Sequence, residues 1–185
     1  MKKAATNLDE ILKTCRAFAQ ARKTLQLATV DAQGIPEASY APYVQHEGRY
    51  YVYLSQLAKH NANLNQRPMC SVLLIEDEDD AGHLFARQRL TLQCTVRVWE
   101  RDSVRFEQVL DLFAQRFGAF MKVIRPLQDF QLFELQPQSG SYVAGFAKAY
   151  SLTGDDLSHI RHRNDQGHQS PQPDTPLRLA EEVAE

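Results

Sequence analysis

The sequence predicts a mainly β, α+β fold: an antiparallel β-barrel with a few packed helices. Three observations lead there. About seven short extended runs can be drawn, several of them alternating with period two, the mark of half-buried strands. The first three runs follow one another across turns with no helix between them, which argues against a doubly wound parallel sheet. Helical three- and four-residue spacing is confined to a few stretches, chiefly one before Thr24 and one after Asp102.

The elements follow in order. Leu8, Ile11, Leu12, Cys15, Phe18 and Ala19 share one face of a first helix, capped by Asn7, with Glu10 in a capping-box position, and ending near Ala21. Leu25 and Leu27 define the first strand, residues 24–30. A turn at 31–34 uses Gly34 for its positive φ. Residues 35–45 form a second extended run. Pro36 and Pro42 remove two ladder donors there, which predicts an edge, bulged or irregular strand. After a turn at 46–49 come a third strand (50–55), a short helix (57–66) stopped by Pro68, and a fourth strand (69–75). An acidic run, 76–80, reads as a solvated loop, since it lacks the spacing of a calcium loop. Leu90, Leu92, Cys94, Val96 and Val98 alternate along a fifth strand, 89–100. Asp102 is placed to cap a helix running to about Phe120, with Val109, Leu110, Phe113 and Phe117 inward. Two last strands, 129–136 and 141–152, complete the set, and 153–157 looks like a helix start.

Beyond Leu157 the composition shifts. Between 158 and 176 the only large aliphatic residue is Ile160, while Pro171, Pro173 and Pro176 accumulate, so this stretch is expected to be loop or disordered tail. The division is therefore a barrel domain with its N-terminal helix, 1–157, and a polar tail, 158–185.

Composition excludes several classes. Lys+Arg 21 against Asp+Glu 23 gives a net charge of -2, and no nucleic-acid partner is expected. No apolar run approaches the ~18 residues of a membrane span, so no membrane partner is expected either. The basic start has no apolar segment behind it, which argues against a secretory signal. Cys15, Cys70 and Cys94 are too few and too widely spaced for a disulfide framework, and a reducing cytoplasm is the expected setting.

No glycine-rich nucleotide motif, nucleophile elbow or zinc spacing can be drawn. Lys59, His60, Arg67, Arg87 and Arg89 lie near strand ends, where they read either as scattered surface charge or as groups converging on a phosphate or carboxylate. Lys59 and His60 open a short helix, where backbone donors also favour an anion. His168, beside Gly167 in a polar context, is either a solvated tail histidine or a metal or haem-iron ligand. Asp129 reads as a turn cap or as a carboxylate orienting such a ligand. Tyr40, Tyr43, Tyr50, Tyr51 and Tyr53 crowd two neighbouring strands, as they would beside a flat ligand, on an amphipathic barrel or at a dimer interface.

Lys23-Thr24-Leu25-Gln26-Leu27-Ala28-Thr29-Val30-Asp31, with Gly34-Ile35-Pro36 and Ser39, resembles the opening of the pyridoxamine-phosphate-oxidase-like split barrels. Leu54-Ser55 through Lys59-His60, Leu64 and Pro68 resembles their second block. Leu84-Phe85-Ala86-Arg87-Gln88-Arg89-Leu90-Thr91, Leu127-Gln128-Asp129-Phe130, and Gly145-Phe146-Ala147-Lys148-Ala149-Tyr150 with Gly154-Asp155-Asp156-Leu157 resemble the HugZ/HutZ-type haem-utilisation branch of that superfamily. The order and spacing of these segments, over about residues 15–170, carry the resemblance.

The resemblance implies a split antiparallel β-barrel homodimer that binds haem b near the subunit interface and breaks it down with oxygen, releasing iron. It names no electron donor. It implies that His168 ligates the iron, that Asp129 supports that ligand, and that His60 and Thr24 take part in binding or activity. Lys59, Arg89, Ser55 and Lys148 fall in the matching segments as binding residues, Arg89 and Lys59 as partners for the propionates. Flavin-binding members typically place an Arg-Lys pair where Lys59-His60 stands. A histidine is mostly uncharged at pH 7 and is a poorer phosphate anchor than lysine. An FMN-dependent oxidoreductase is thus the alternative, and a non-catalytic haem carrier a third reading. Ala147, where the branch often has glycine, is a milder departure.

Overall fold

The computed structural model describes residues 7–163. Helix α1 (Leu8–Ala21) starts where the Asn7 side chain accepts from the backbone N–H groups of Asp9 and Glu10. Strands β1 (Thr24–Val30), β2 (Pro36–His46) and β3 (Arg49–Ser55) follow as a meander. The β1–β2 turn is built by Asp31, whose Oδ1 accepts from the amides of Gln33 and Ile35 at 2.9 and 2.8 Å, with Gly34 at φ 88°. Helix α2 (Lys59–Gln66) precedes β4 (Met69–Ile75) and β5 (Arg89–Trp99). Helix α3 (Val104–Phe117) and the short α4 (Met121–Ile124) precede β6 (Phe130–Val143), β7 (Ala149–Thr153) and β8 (His159–His162).

All pairings are antiparallel, in the order β3-β2-β1-β4-β5-β6-β7-β8, and β3 also pairs with β6. Six strands therefore close a barrel, and β7 and β8 extend its wall. Leu25, Leu27, Val52, Leu74, Leu92 and Leu135 fill the interior, which α1 seals with Cys15, Phe18 and Ala19. A second core lies outside the barrel, where Phe106, Val109, Leu110 and Phe113 of α3 pack on Val44, Tyr51, Tyr53 and Leu132. Strand β3 serves both cores, and Tyr50 to Leu54 are all buried.

Several expectations are corrected. Strand β2 is interior, not an edge. Its residues 36–42 pair with β1 and its residues 43–46 with β3, so each proline falls where only one side of the strand is laddered. Ser103, not Asp102, caps α3, accepting from the Phe106 amide, and α3 stops at Phe117 because Gly118 takes φ 69°. The break expected between 136 and 141 is a bulge instead: Cys94 faces Pro137 and Gln93 faces Ser139, leaving Gln138 as the extra residue of a continuous β6. The expected strand 141–152 is interrupted by a turn at 144–148. Residues 159–162 form β8, because backbone pairing to β7 needs no apolar composition.

The cysteines are buried and unbridged. Burial pushes the Cys15 thiol up to about 12, so it is no nucleophile at neutral pH. Of the crowded tyrosines, Tyr43 and Tyr50 fill the barrel and Tyr51 and Tyr53 lie under α3; Tyr40 alone is exposed, at 68%. The acidic run is tied down by arginines, Arg22 to Asp77 at 3.4 Å and Arg87 to Glu78 at 3.2 Å.

Candidate functional site

The predicted residues fall into two groups, at opposite ends of the barrel. The first surrounds the start of α2. Ser55 ends β3 opposite Phe130, the first residue of β6. That register brings Ser55 to Asp129, and its Oγ donates to Asp129 Oδ2 at 2.9 Å. The same Oγ accepts from the Leu57 amide at 3.2 Å, and the Asp129 carbonyl accepts from the Gln56 amide at 2.7 Å. A carboxylate is thus fixed beside the β3–α2 turn, and among the described residues its Oδ1 remains available to another donor. Arg101 braces the approach to it. Its Nη2 donates to the carbonyls of Leu127 and Phe130 at 2.7 and 3.0 Å and to the Tyr53 hydroxyl at 3.2 Å, and its Nη1 donates to the Arg125 carbonyl at 3.2 Å.

Lys59 and His60 point back to β2. Lys59 Nζ lies 3.8 Å from Glu37 Oε2, and His60 Nδ1 lies 2.9 Å from Ser39 Oγ. Burial holds the His60 imidazole below its ordinary range, against the pull of Glu37 in the other direction. It is neutral at pH 7. Deeper in, Asn61 donates to the Leu54 carbonyl and Asn63 to the Thr29 hydroxyl, which locks α2 onto the barrel.

The second group lies at the far end of β1. Thr24 borders a cavity of about 450 Å³ lined by Arg22, Lys23, Gln26, Leu73, Ile75, Asp77 and Arg87. Arg87 is held by the Glu76 carbonyl, which accepts from its Nε at 2.9 Å. Arg89 stands opposite Ile75, and its Nη1 donates to the Arg87 carbonyl at 3.1 Å. Lys148 is exposed in the β6–β7 turn. Ala147 in that turn takes φ 57°, the left-handed region that favours glycine.

The structure thus unites Ser55 with Asp129 and places Lys59 and His60 nearby. It sets Thr24, Arg89 and Lys148 toward the other end. His168 lies outside the described residues. Sequence reasoning missed Glu37, Arg22, Lys23 and Arg101. The period-two pattern of β1 and β2 could have put Glu37 on the inner face. Nothing local could have placed Arg101, whose role depends on a loop more than twenty residues away.

Between the two groups runs a sheet face without charged side chains. Thr24, Gln26 and Ala28 of β1, Ala38, Tyr40 and Pro42 of β2, Met69, Ser71 and Leu73 of β4, and Gln93 and Thr95 of β5 point outward along it.

Comparison with known proteins accords with this architecture. The pyridoxamine 5'-phosphate oxidase family model matches residues 11–144. Heme oxygenase HutZ of Vibrio cholerae serotype O1 is 48% identical over 153 residues, 83% of this chain and 86% of that protein. The crystal structure of HutZ, described there as a heme storage protein, matches with a TM-score of 0.66 over 68% of this chain and 89% of that one. Campylobacter jejuni ChuZ matches with a TM-score of 0.76 and 30% identity over 82% of this chain, which spans 63% of the ChuZ chain. On these grounds the chain belongs to the pyridoxamine 5'-phosphate oxidase family, within its HugZ/HutZ-type branch.

Proposed function

We propose that the protein binds haem and degrades it oxidatively to release iron. The observation that carries this reading is the 48% identity to heme oxygenase HutZ. The donor chemistry of the chain is consistent with it. The Thr24 cavity offers three cations beside the apolar side chains of Leu73 and Ile75, which suits a flat apolar ligand with carboxylate arms. The α2 end suits FMN poorly. The Glu37 carboxylate already faces Lys59 and would repel a phosphate, and His60 is neutral.

In this reading haem is the substrate, and its iron and porphyrin carry the oxygen chemistry. The chain binds, orients and shields it. His168 supplies a neutral imidazole to the iron. Asp129, held by Ser55, accepts the other N–H of that imidazole and strengthens it as a donor.

Asp129 and His168 then belong to two different copies of the chain. Asp129 precedes β6, whose 14 residues span roughly 40 Å. The chain leaves β8 beside Ala149, across from Val143 at the other end of β6. The five residues from Arg163 to His168 reach at most about 18 Å. The same reach extends about as far as the near wall of the Thr24 cavity. Ile75, Arg89, Val143 and Ala149 form one row across the sheet to Arg163, four strand spacings or about 19 Å. A homodimer joined through the uncharged sheet face would complete the site, with the segment that follows β8 contributing His168. Three unbridged cysteines fit a cytoplasmic setting, and among the described residues no helix is long and apolar enough to cross a membrane.

The test is a titration of the purified apo-protein with haemin, followed by ascorbate in air. A Soret band that saturates at fixed stoichiometry and then decays with release of iron is expected. A Soret band that persists under ascorbate would leave a haem carrier, and a protein that takes up FMN rather than haemin would overturn the reading.

A further inference from the structure

The cavity beside Thr24 contains donors that the fold does not use. Arg22 Nε is buried and has no hydrogen-bond partner among the described residues. Its Nη1 contacts Asp77 at 3.4 Å, and its guanidinium lies 5.2 Å from the centre of the Phe18 ring, which keeps the side chain in place. The Arg22 backbone is held too, because the Arg22 carbonyl accepts from Arg116. A buried guanidinium N–H without an acceptor is costly unless something outside the fold supplies one. The side chains of Lys23, Thr24 and Gln26 also make no hydrogen bond or ion pair among the described residues, and all three line the same cavity.

The charge of the lining is one-sided. Arg22, Lys23 and Arg87 stand against Asp77. Glu78 takes one nitrogen of Arg87 and the Glu76 carbonyl takes others, so Arg87 adds field more than free donors. Opposite these groups the wall is Leu73 and Ile75, continuous with the uncharged sheet face. A ligand that suits both sides has an apolar body and anionic groups at one edge. A free phosphate would leave the apolar wall unused.

We propose that Arg22 and Lys23, supported by Arg87, are a carboxylate-binding site that selects the ligand by its propionate groups. This rests on the haem reading above and adds residues to it. Arg22 Nε–H donates to one carboxylate oxygen, and Lys23 Nζ supplies a mobile charge at the mouth. Thr24 Oγ1–H is a third donor on the same wall. Ligands whose carboxylates are masked offer only a neutral carbonyl acceptor and lose the charge-assisted part of these bonds.

The experiment compares haemin with haemin dimethyl ester, whose carboxylates are masked, by Soret titration of the full-length apo-protein. The wild type should prefer haemin by roughly tenfold or more, the size of one charge-assisted hydrogen bond. Lys23→Glu and Arg22→Gln should each reduce that preference, because haemin loses more affinity than the ester does. Lys23 is exposed, so Lys23→Glu keeps the fold, and its urea midpoint checks this. Equal wild-type affinity for the two ligands, or full preference retained in both variants, would overturn the carboxylate site and leave haem binding standing. Failure of the wild type to bind either ligand would overturn the haem reading and this inference with it.

Discussion

The Ser55 hydroxyl and the Asp129 carboxylate meet at 2.9 Å across the end of the β3–β6 ladder, although 74 positions separate them in the chain. One oxygen atom of Ser55 serves two purposes, since it also accepts from the Leu57 amide that begins the turn into α2. The bond couples the orientation of a carboxylate to the geometry of a turn.

Ser55→Ala removes both contacts. It should cost about 1–2 kcal/mol of stability, measured by urea unfolding, and should weaken haem binding or shift the haem spectrum. Ser55→Thr restores the hydroxyl and should recover most of both effects. A spectrum unchanged in Ser55→Ala would separate Asp129 from the site.

Mixed dimers test the pairing of Asp129 with His168 across two copies. Asp129→Asn and His168→Ala chains are each expected to be defective alone. Reassembled in equal amounts, half of the dimers are mixed, and half of the sites in those are intact, so about a quarter of wild-type turnover should return. No recovery from chains shown to exchange would place the two residues in one subunit.

His60 gives a pH dependence of defined sign. Burial holds its folded pKa below the unfolded value of 6.5. The unfolded state therefore binds more protons in that window, and stability falls as pH drops from about 7 through the folded pKa. His60→Gln cannot titrate and should flatten that part of the curve. Urea midpoints at several pH values between 5 and 8 decide it, and identical curves would show that His60 is not a source of the acid sensitivity.

Arg101→Ala removes the Arg101 donors from the carbonyls of Leu127 and Phe130 and from the Tyr53 hydroxyl, and leaves the Arg125 carbonyl with the Tyr53 hydroxyl at 3.3 Å. The loss should be about 2–4 kcal/mol, because the donor is charged and the acceptors are partly buried. Arg101→Lys can reach only part of the set and should fall between. A neutral Arg101→Ala in chemical denaturation would mean that water replaces all four bonds.

Local pattern made most of the barrel legible. Alternation of Leu25 and Leu27, of Leu90, Leu92 and Cys94, and the helical spacing of Val109, Leu110 and Phe113 placed β1, β5 and α3 with their inner faces. Reading failed where pairing, not composition, decides. Pro42 suggested an edge because one chain cannot show that β2 changes neighbours at Tyr43. The break expected between 136 and 141 is absent because a bulge depends on the opposite strand. The site followed the same rule. Ser55 and Asp129 each lie in a recognisable segment, but closure of β3 on β6 is what joins them. Arg22 and Lys23 share a cavity with Leu73, Ile75 and Arg87 only once the sheet has formed.

Strand β3 carries a consequence of its own. Its inward residues Tyr50, Val52 and Leu54 belong to the barrel core, and its outward residues Tyr51 and Tyr53 belong to the core under α3. Neither core can open without withdrawing the same seven-residue backbone from β2 and β6. The two cores therefore melt as one cooperative unit. The amides of β3 should be among the slowest in the protein to exchange with solvent, while those of the outermost strand β8 exchange early.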